Sequence, residues 1–390
     1  MGQLSRSAAA ARARGVTYVP RALECRQTSA GGGPVQQSIR FLTTADGVNL
    51  AWAEAGQGPA LVKVANWLTH LEYDWDSPVW RHWIRFFAGH FRFVRYDERG
   101  CGMTDWDVED VALPRWIEDL ETVVDRAGID APFVLLGISQ GAAAAVAYAV
   151  RHPERVSHLV IYGGYAQGWN HRGNEAGQRR YNAIIELARY GWGTDNPAFR
   201  QVFTSMFMPD ASEEQVAWFT QLCRKTTRPD TAARLLKARA DVNVLDYLSQ
   251  VRVPTLVLHG RDDEVVPLAT GRVIATGIPD ARFVQLESRN HILLEDEPAW
   301  ERFKAEVLAF TGRDAAAAED AAPFDALSER ERQILALVAE GRNNIDIGKT
   351  LFISDKTVRN HVTRIFEKLG VSSRAQAIVL AHERGFRARR

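Results

Sequence analysis

Between residues 38 and 288, short runs rich in Val, Ile, Leu and Phe alternate with longer stretches of helical periodicity. That alternation restricts the fold more than any other feature of the chain. SIRFLTT and NLAWAEAG read as a hairpin joined at Asp46-Gly47. ALVKVAN, RFVRYD, FVLLGIS, HLVIYGG, PTLVLHG and ARFVQLES read as further strands. Several are continuous apolar runs, the pattern of a parallel sheet covered on both faces. Helical patterns over 78–89, 113–127, 140–151 and 267–276 supply the crossovers. The expected fold class is α/β, a doubly wound and mostly parallel sheet with helices on both sides.

Residues 165–250 separate two strands by far more than one crossover helix. They are rich in helix formers and aromatics, among them Tyr181, Trp192, Phe203, Trp218 and Phe219, which predicts a helical lid. GRDAAAAEDAAP then reads as a linker, and everything beyond Phe324 is helical in pattern. The expected organisation is an N-terminal arm of weak order (1–36), an α/β domain (37–312), a linker (313–323) and a small all-α domain (324–390).

The chain of 390 residues is 46% hydrophobic and 25% charged, an ordinary globular composition. Its formal charge is zero, but residues 324–390 hold 13 Lys/Arg against 8 Asp/Glu. That local excess points the C-terminal part toward an anionic partner. Cys25, Cys101 and Cys223 are widely spaced and make neither a disulfide framework nor a metal-ligand pattern, so no metal or other cofactor is expected. Three scattered thiols suit a reducing compartment, and no apolar run of about 18 residues exists to span a membrane. The N-terminus lacks the apolar core of a signal peptide, and a cytoplasmic location is expected.

Gly137-Ile138-Ser139-Gln140-Gly141 follows an apolar strand and opens a helix of small residues. A nucleophilic serine needs a tight strand-to-helix turn, and flanking glycines relieve its crowding. The acid and the histidine should follow in that order. His291 sits in the loop SRNH after the strand ARFVQLES, and HGRDDEVVP ends an earlier strand, where Asp262 and Asp263 both qualify chemically. Cys101, in an Arg-Gly-Cys-Gly turn, reads as structural.

These segments resemble the α/β-hydrolase family over roughly residues 38–312. The family pattern G-x-x-D-x-x-V-P falls on Gly260, Asp263, Val266 and Pro267, which favours Asp263 over Asp262. YDERGCGMTDW is similar to the family turn Y-D-x-R-G-x-G-x-S, with Thr104 in place of the serine. The resemblance implies a triad of Ser139, Asp263 and His291. It also implies an oxyanion hole from the Gln140 N–H and an N–H of the loop Ala65-Asn66-Trp67, where Trp67 takes the position by count. That loop lacks the His-Gly-aromatic common in the family.

In the C-terminal part, Ser328 and Glu331 form a capping box opening a helix that carries Ile334, Leu337 and Val338 on one face. A short helix over 344–351 and the turn Phe352-Ile353-Ser354 lead to a helix with Val358, Val362, Ile365 and Leu369 on one stripe. Its opposite face presents Lys356, Arg359, Asn360 and Thr363, side chains able to reach groove edges and phosphates. Ser373 caps a final helix with the apolar run Ile378-Val379-Leu380. The segments LSERERQILALVAEG and ISDKTVRNHVTRIFEKLGVSSRAQAIVLA closely resemble the LuxR-type helix-turn-helix. The resemblance implies that Arg359, Asn360 and Thr363 face bases while Thr357, His361 and Arg364 approach the backbone. It further implies a homodimer joined by the last helix. One departure is Gly348 where alanine is usual, which should weaken its helix by roughly 1 kcal/mol.

The expected function is a DNA-binding transcription regulator whose hydrolase domain binds, and is able to hydrolyse, a small ester, lactone or thioester. Two alternatives compete with it. The protein could be a serine hydrolase whose tail only tethers or oligomerises it, or the hydrolase fold could be an idle scaffold for protein contacts.

Overall fold

The computed structural model describes residues 27–28, 34–192, 194, 196–313, 324, 327–371, 373–383 and 386. Cys25, most of the expected N-terminal arm and all of the expected linker except Arg313 lie outside these residues. Within the arm, β1 (Gln27–Thr28) and β2 (Pro34–Val35) form a short antiparallel ribbon.

The main sheet has eight strands: β3 (Ser38–Thr43), β4 (Asn49–Ala55), β5 (Ala60–Lys63), β6 (Arg92–Tyr96), β7 (Phe133–Ile138), β8 (Val156–Tyr162), β9 (Thr255–Gly260) and β10 (Arg282–Leu286). Their order is β10-β9-β8-β7-β5-β6-β4-β3. The β3–β4 hairpin and the β4–β6 pair are antiparallel, and the pairs from β6 through β10 are parallel. Every residue of β7 and β9 is buried, although successive side chains point to opposite faces, so both faces of the sheet centre are covered.

The covering helices are α1 (Leu71–Trp75), α2 (Arg81–His90), α3 (Leu113–Arg126), α4 (Gly141–Arg151), α9 (Leu268–Gly277) and α10 (Pro298–Phe310). The helix expected from residue 78 starts at Arg81, because the Trp80 N–H is held by the Ser77 hydroxyl at 2.7 Å ahead of it. Trp83 of α2 lies 4.8 Å, ring centre to ring centre, from both Trp300 and Phe303 of α10. The same indole is 5.4 Å from Tyr162 of β8, so this aromatic layer presses directly on the central strands.

Between β8 and β9 come α5 (Glu175–Gly191), α6 (Pro197–Phe207), α7 (Glu213–Thr226) and α8 (Pro229–Ala240). Buried Phe199, Phe203, Phe219 and Leu236 from these helices belong to the same hydrophobic cluster as the sheet.

The C-terminal helices are α11 (Glu329–Ala339), α12 (Asn344–Leu351), α13 (Asp355–Leu369) and α14 (Arg374–Glu383). They enclose a second cluster that shares no residue with the first. The Ser328–Glu331 capping box is formed, and Glu331 also pairs with Lys368 of α13 at 2.6 Å. Gly348 plays a part that helix propensity does not register. A Cβ there would sit 2.7 Å from the Ile353 carbonyl oxygen, so the missing side chain lets the turn close over α12. The apolar run on α14 also differs from expectation: Ile378 and Leu380 pack against their own domain, and Val379 is the exposed member. Among the described residues no helix is long and apolar enough to cross a membrane.

A buried charge network fixes the Tyr96–Trp106 turn. Arg99, 1% exposed, donates to Asp119 at 2.7 and 2.6 Å and to Asp46 at 2.8 Å. Its guanidinium holds the Asp46 carboxyl down at about 2. Asp119→Ala leaves a buried cation half compensated and is expected to cost about 3–5 kcal/mol, read as a lowered urea midpoint of the α/β domain. A loss below about 1 kcal/mol would contradict this role for the pair.

Candidate functional site

Ser139 closes β7 and precedes α4 with φ at 54°, in the left-handed region that side chains other than glycine rarely adopt. Such strain persists only where the surroundings enforce it. The enforcement is visible in the flanking glycines. A Cβ on Gly137 would lie 2.8 Å from Ala142 Cα, and one on Gly141 would lie 3.0 Å from the Ala65 carbonyl oxygen. Both close approaches press the start of α4 against β7 and against the loop after β5. The serine hydroxyl is thereby presented at the end of the sheet where the parallel strands finish.

His291, in the loop between β10 and α10, brings Nε2 to 3.1 Å from Ser139 Oγ and Nδ1 to 2.7 Å from Asp263 Oδ2. With the proton on Nδ1, the imidazole donates to the carboxylate and accepts from the hydroxyl. Asp263 Oδ1 accepts from the Val265 and Val266 N–H groups, each at 2.9 Å. Those two bonds hold the carboxylate facing the ring. Asp262 is exposed on the neighbouring position, and among the described residues the carboxylate that pairs with His291 is Asp263.

Trp67 and Gln140 are both buried, and among the described residues neither backbone N–H donates to a carbonyl. Below their loop lies Lys63, whose ammonium donates to Asn66 Oδ1. Burial pulls the Lys63 pKa down to about 8. Thr104, the departure from serine in the Tyr96–Trp106 turn, accepts from Ala51 N at 3.0 Å and donates to Asp97 O at 2.9 Å, so a hydroxyl suffices there. Cys101 is fully buried, and burial pushes its thiol well up.

Three features escaped the sequence reading. His259, on β9, is buried with Nε2 2.7 Å from Val266 O and 3.8 Å from Asp263 Oδ2, and burial lowers its pKa. It therefore stands behind the Asp263 loop as a neutral prop. Phe207, the last residue of α6, accepts from the His291 N–H at 2.8 Å and from the Ile292 N–H at 3.3 Å, and its ring lies 5.5 Å from the imidazole. Asn290 accepts from the Asp210 N–H at 3.2 Å. The histidine loop is thus tied to the lid, and only position next to His291 marked Asn290 beforehand.

A cavity open to solvent lies above Ser139 and His291, both of which line it. Trp67, Trp80, Phe203, Phe207 and Phe219 give it a largely aromatic wall. The Trp67 indole stacks on Trp192 at 5.3 Å, so its ring is a wall element whatever its backbone does.

In the C-terminal domain, Phe352 adopts φ 57° at the turn, and the Ser354 hydroxyl accepts from the Thr357 N–H at 3.1 Å. Val358, Val362 and Ile365 face the core. Lys356, Arg359, Asn360, Thr363 and Arg364 are exposed, and Thr357 and His361 half-buried, so all seven lie off the buried stripe. Arg359 pairs with Asp355 at 2.5 Å, and Thr363 donates to Arg359 O at 3.1 Å.

Comparison with known proteins agrees with both parts. Residues 70–298 match the model of the alpha/beta hydrolase fold, and residues 325–381 match bacterial regulatory proteins of the luxR family. The AB hydrolase superfamily protein YisY of Bacillus subtilis (strain 168) is 26% identical over 259 residues, covering 64% of this chain and 91% of YisY. The transcriptional regulatory protein LiaR of the same organism is 35% identical over 136 residues, covering 35% of this chain and 63% of LiaR. The crystal structure of a hydrolase from Pseudomonas aeruginosa PA01 superimposes with a TM-score of 0.59 at 25% identity, over 70% of this chain and 98% of that one. With the hydrolase-fold model spanning more than half its length and the regulator model matching its C-terminal helices, the chain belongs to the alpha/beta hydrolase fold family and carries a LuxR-type DNA-binding domain.

Proposed function

We propose that the protein is a transcription regulator whose hydrolase-fold domain binds, and hydrolyses, a small ester-, lactone- or thioester-like ligand, and whose C-terminal domain reads DNA. The observation that carries this reading is the Asp263–His291–Ser139 hydrogen-bonded chain beneath an apolar cavity, in a polypeptide that also holds a LuxR-type domain.

The geometry suits acyl transfer. Ser139 Oγ attacks the ligand carbonyl as His291 Nε2 takes its proton, and Asp263 stabilises the imidazolium. The new oxyanion receives the Gln140 and Trp67 N–H groups. Collapse breaks the bond to the leaving alcohol or thiol, which takes the proton back from His291. A water then repeats the sequence on the acyl-enzyme and frees the acid and Ser139. The link to DNA would run through the lid: α6 both walls the cavity and holds the His291 loop, so an occupied cavity and an empty one place different demands on α6. A homodimer on a two-fold operator fits the LuxR-type domain, with Val379 the exposed apolar contact on α14. The chemistry and the reader both suit the cytoplasm.

The catalytic half is tested with a panel of 4-nitrophenyl esters. Ser139→Ala should lower kcat by about 10⁴-fold or more, since triad members act as a unit. Ligand binding, measured calorimetrically, should survive because pocket shape carries it. Full activity in Ser139→Ala would remove the nucleophile assignment.

The DNA half is tested by Arg359→Ala. This variant should lose about 1–3 kcal/mol on the specific site and relax preference at one base pair. Gel-shift titrations showing equal loss on operator and random DNA would make Arg359 a phosphate contact instead.

A further inference from the structure

Because most of the cavity wall is apolar, its few polar atoms decide what it accepts. Three arginines border it, Arg172, Arg180 and Arg239, all from the segment between β8 and β9, against one carboxylate, Glu264. Arg239, near the end of α8, is 3% exposed. Its Nη2 pairs with Glu98 at 2.5 Å, and its guanidinium carbon lies 5.4 Å from the Trp67 ring. Glu98 balances the charge but takes up only part of the donor capacity. Nε and Nη1 of Arg239 are buried without an acceptor, and so is Nε1 of Trp67 beside it.

Guanidinium and indole nitrogens only donate. Buried donors are ordinarily satisfied, so these three orphans, joined on the same cavity wall by Trp80 Nε1 and Gln140 Nε2, mark a place where acceptor atoms are to arrive. Nearer the mouth, Arg172 stacks on Trp169 at 4.3 Å and commits Nε to Gln167 O at 2.7 Å. Arg180, at the cavity border, is exposed. The lid thus turns cationic groups toward the cavity from its mouth to its floor.

We propose that the ligand carries a carboxylate which the lid arginines and the Trp67 indole hold, while its acyl carbonyl lies at Ser139. The proposal rests on the reading of this cavity as an acyl-binding site and names its ligand class. A monoanion suits the site better than a phosphate dianion, because an aromatic wall makes each further unit of charge costlier to desolvate.

The test uses a stable pair of amides, succinanilic acid and butyranilide, which share the anilide and the chain length and differ in a terminal carboxylate against a methyl group. Calorimetric titration of the full-length protein should give the acid an affinity about tenfold or more above the neutral amide, the effect of one or two charge-assisted hydrogen bonds. Arg172→Gln and Arg180→Gln, at positions outside the core, should each pull the ratio of the two affinities toward one. Arg239→Lys keeps a cation beside Glu98 and should reduce the ratio as well, with circular dichroism reporting the fold. Equal affinities, or a ratio unmoved in all three variants, would overturn the carboxylate while leaving an acyl-binding cavity in place. Binding of neither amide would overturn both.

Discussion

A backbone constraint organises the hydrolase-fold domain: Ser139 is held at φ 54° between a buried strand and a buried helix. Nothing in the serine favours that conformation, so packing on either side must supply it. The supply comes from Gly137 and Gly141, whose missing side chains let α4 close on β7 and on the Ala65 carbonyl. Because β5, β7, β8, β9 and β10 run parallel in adjacent order, the loops after β5, β7, β9 and β10 all emerge at one edge of the sheet. The Ala65-Asn66-Trp67 loop, the serine, Asp263 and His291 lie on those loops. Side chains far apart in sequence converge there because the sheet topology leaves them no other place.

The lid does more than cover this edge. It supplies the acceptor for the His291 and Ile292 N–H groups at Phe207, and it drives Arg239 into the core against Glu98. The second contact is energetically demanding. Burial of a charged pair is repaid only with good geometry and satisfied donors, and here two guanidinium nitrogens go unsatisfied. The ligand proposed for this cavity would supply the acceptors that the two nitrogens lack. Lid position, cavity polarity and histidine orientation are consequently one coupled property.

Much of this was legible in the sequence. The strands declare themselves as apolar runs, because a strand covered on both faces has no polar side to display. The Ser139 turn is legible because its glycines are required by contact distance. Asp263 and Asp262 are chemically alike, and only the family spacing distinguished them before the structure showed Val265 and Val266 N–H groups on Asp263. What stayed hidden depends on long-range packing. Glu98 and Arg239 are 141 positions apart, and no local pattern joins them. Gly348 reads as a weakness by propensity but is a close contact in space. Ile378, Val379 and Leu380 form one apolar run in the sequence, whereas packing on α14 separates Ile378 and Leu380, against their own domain, from exposed Val379.

The central claim is that cavity and DNA reader share one conformational equilibrium. The direct measurement is a thermodynamic cycle: operator affinity with and without a bound ligand, and ligand affinity with and without operator DNA, on the same full-length protein at one salt concentration. A shared equilibrium requires the two factors to be equal, and typical couplings are about 5–150-fold. Equal factors above unity are the predicted result. Affinities for ligand and operator that are each indifferent to the other would contradict the claim and leave two independent domains on one chain.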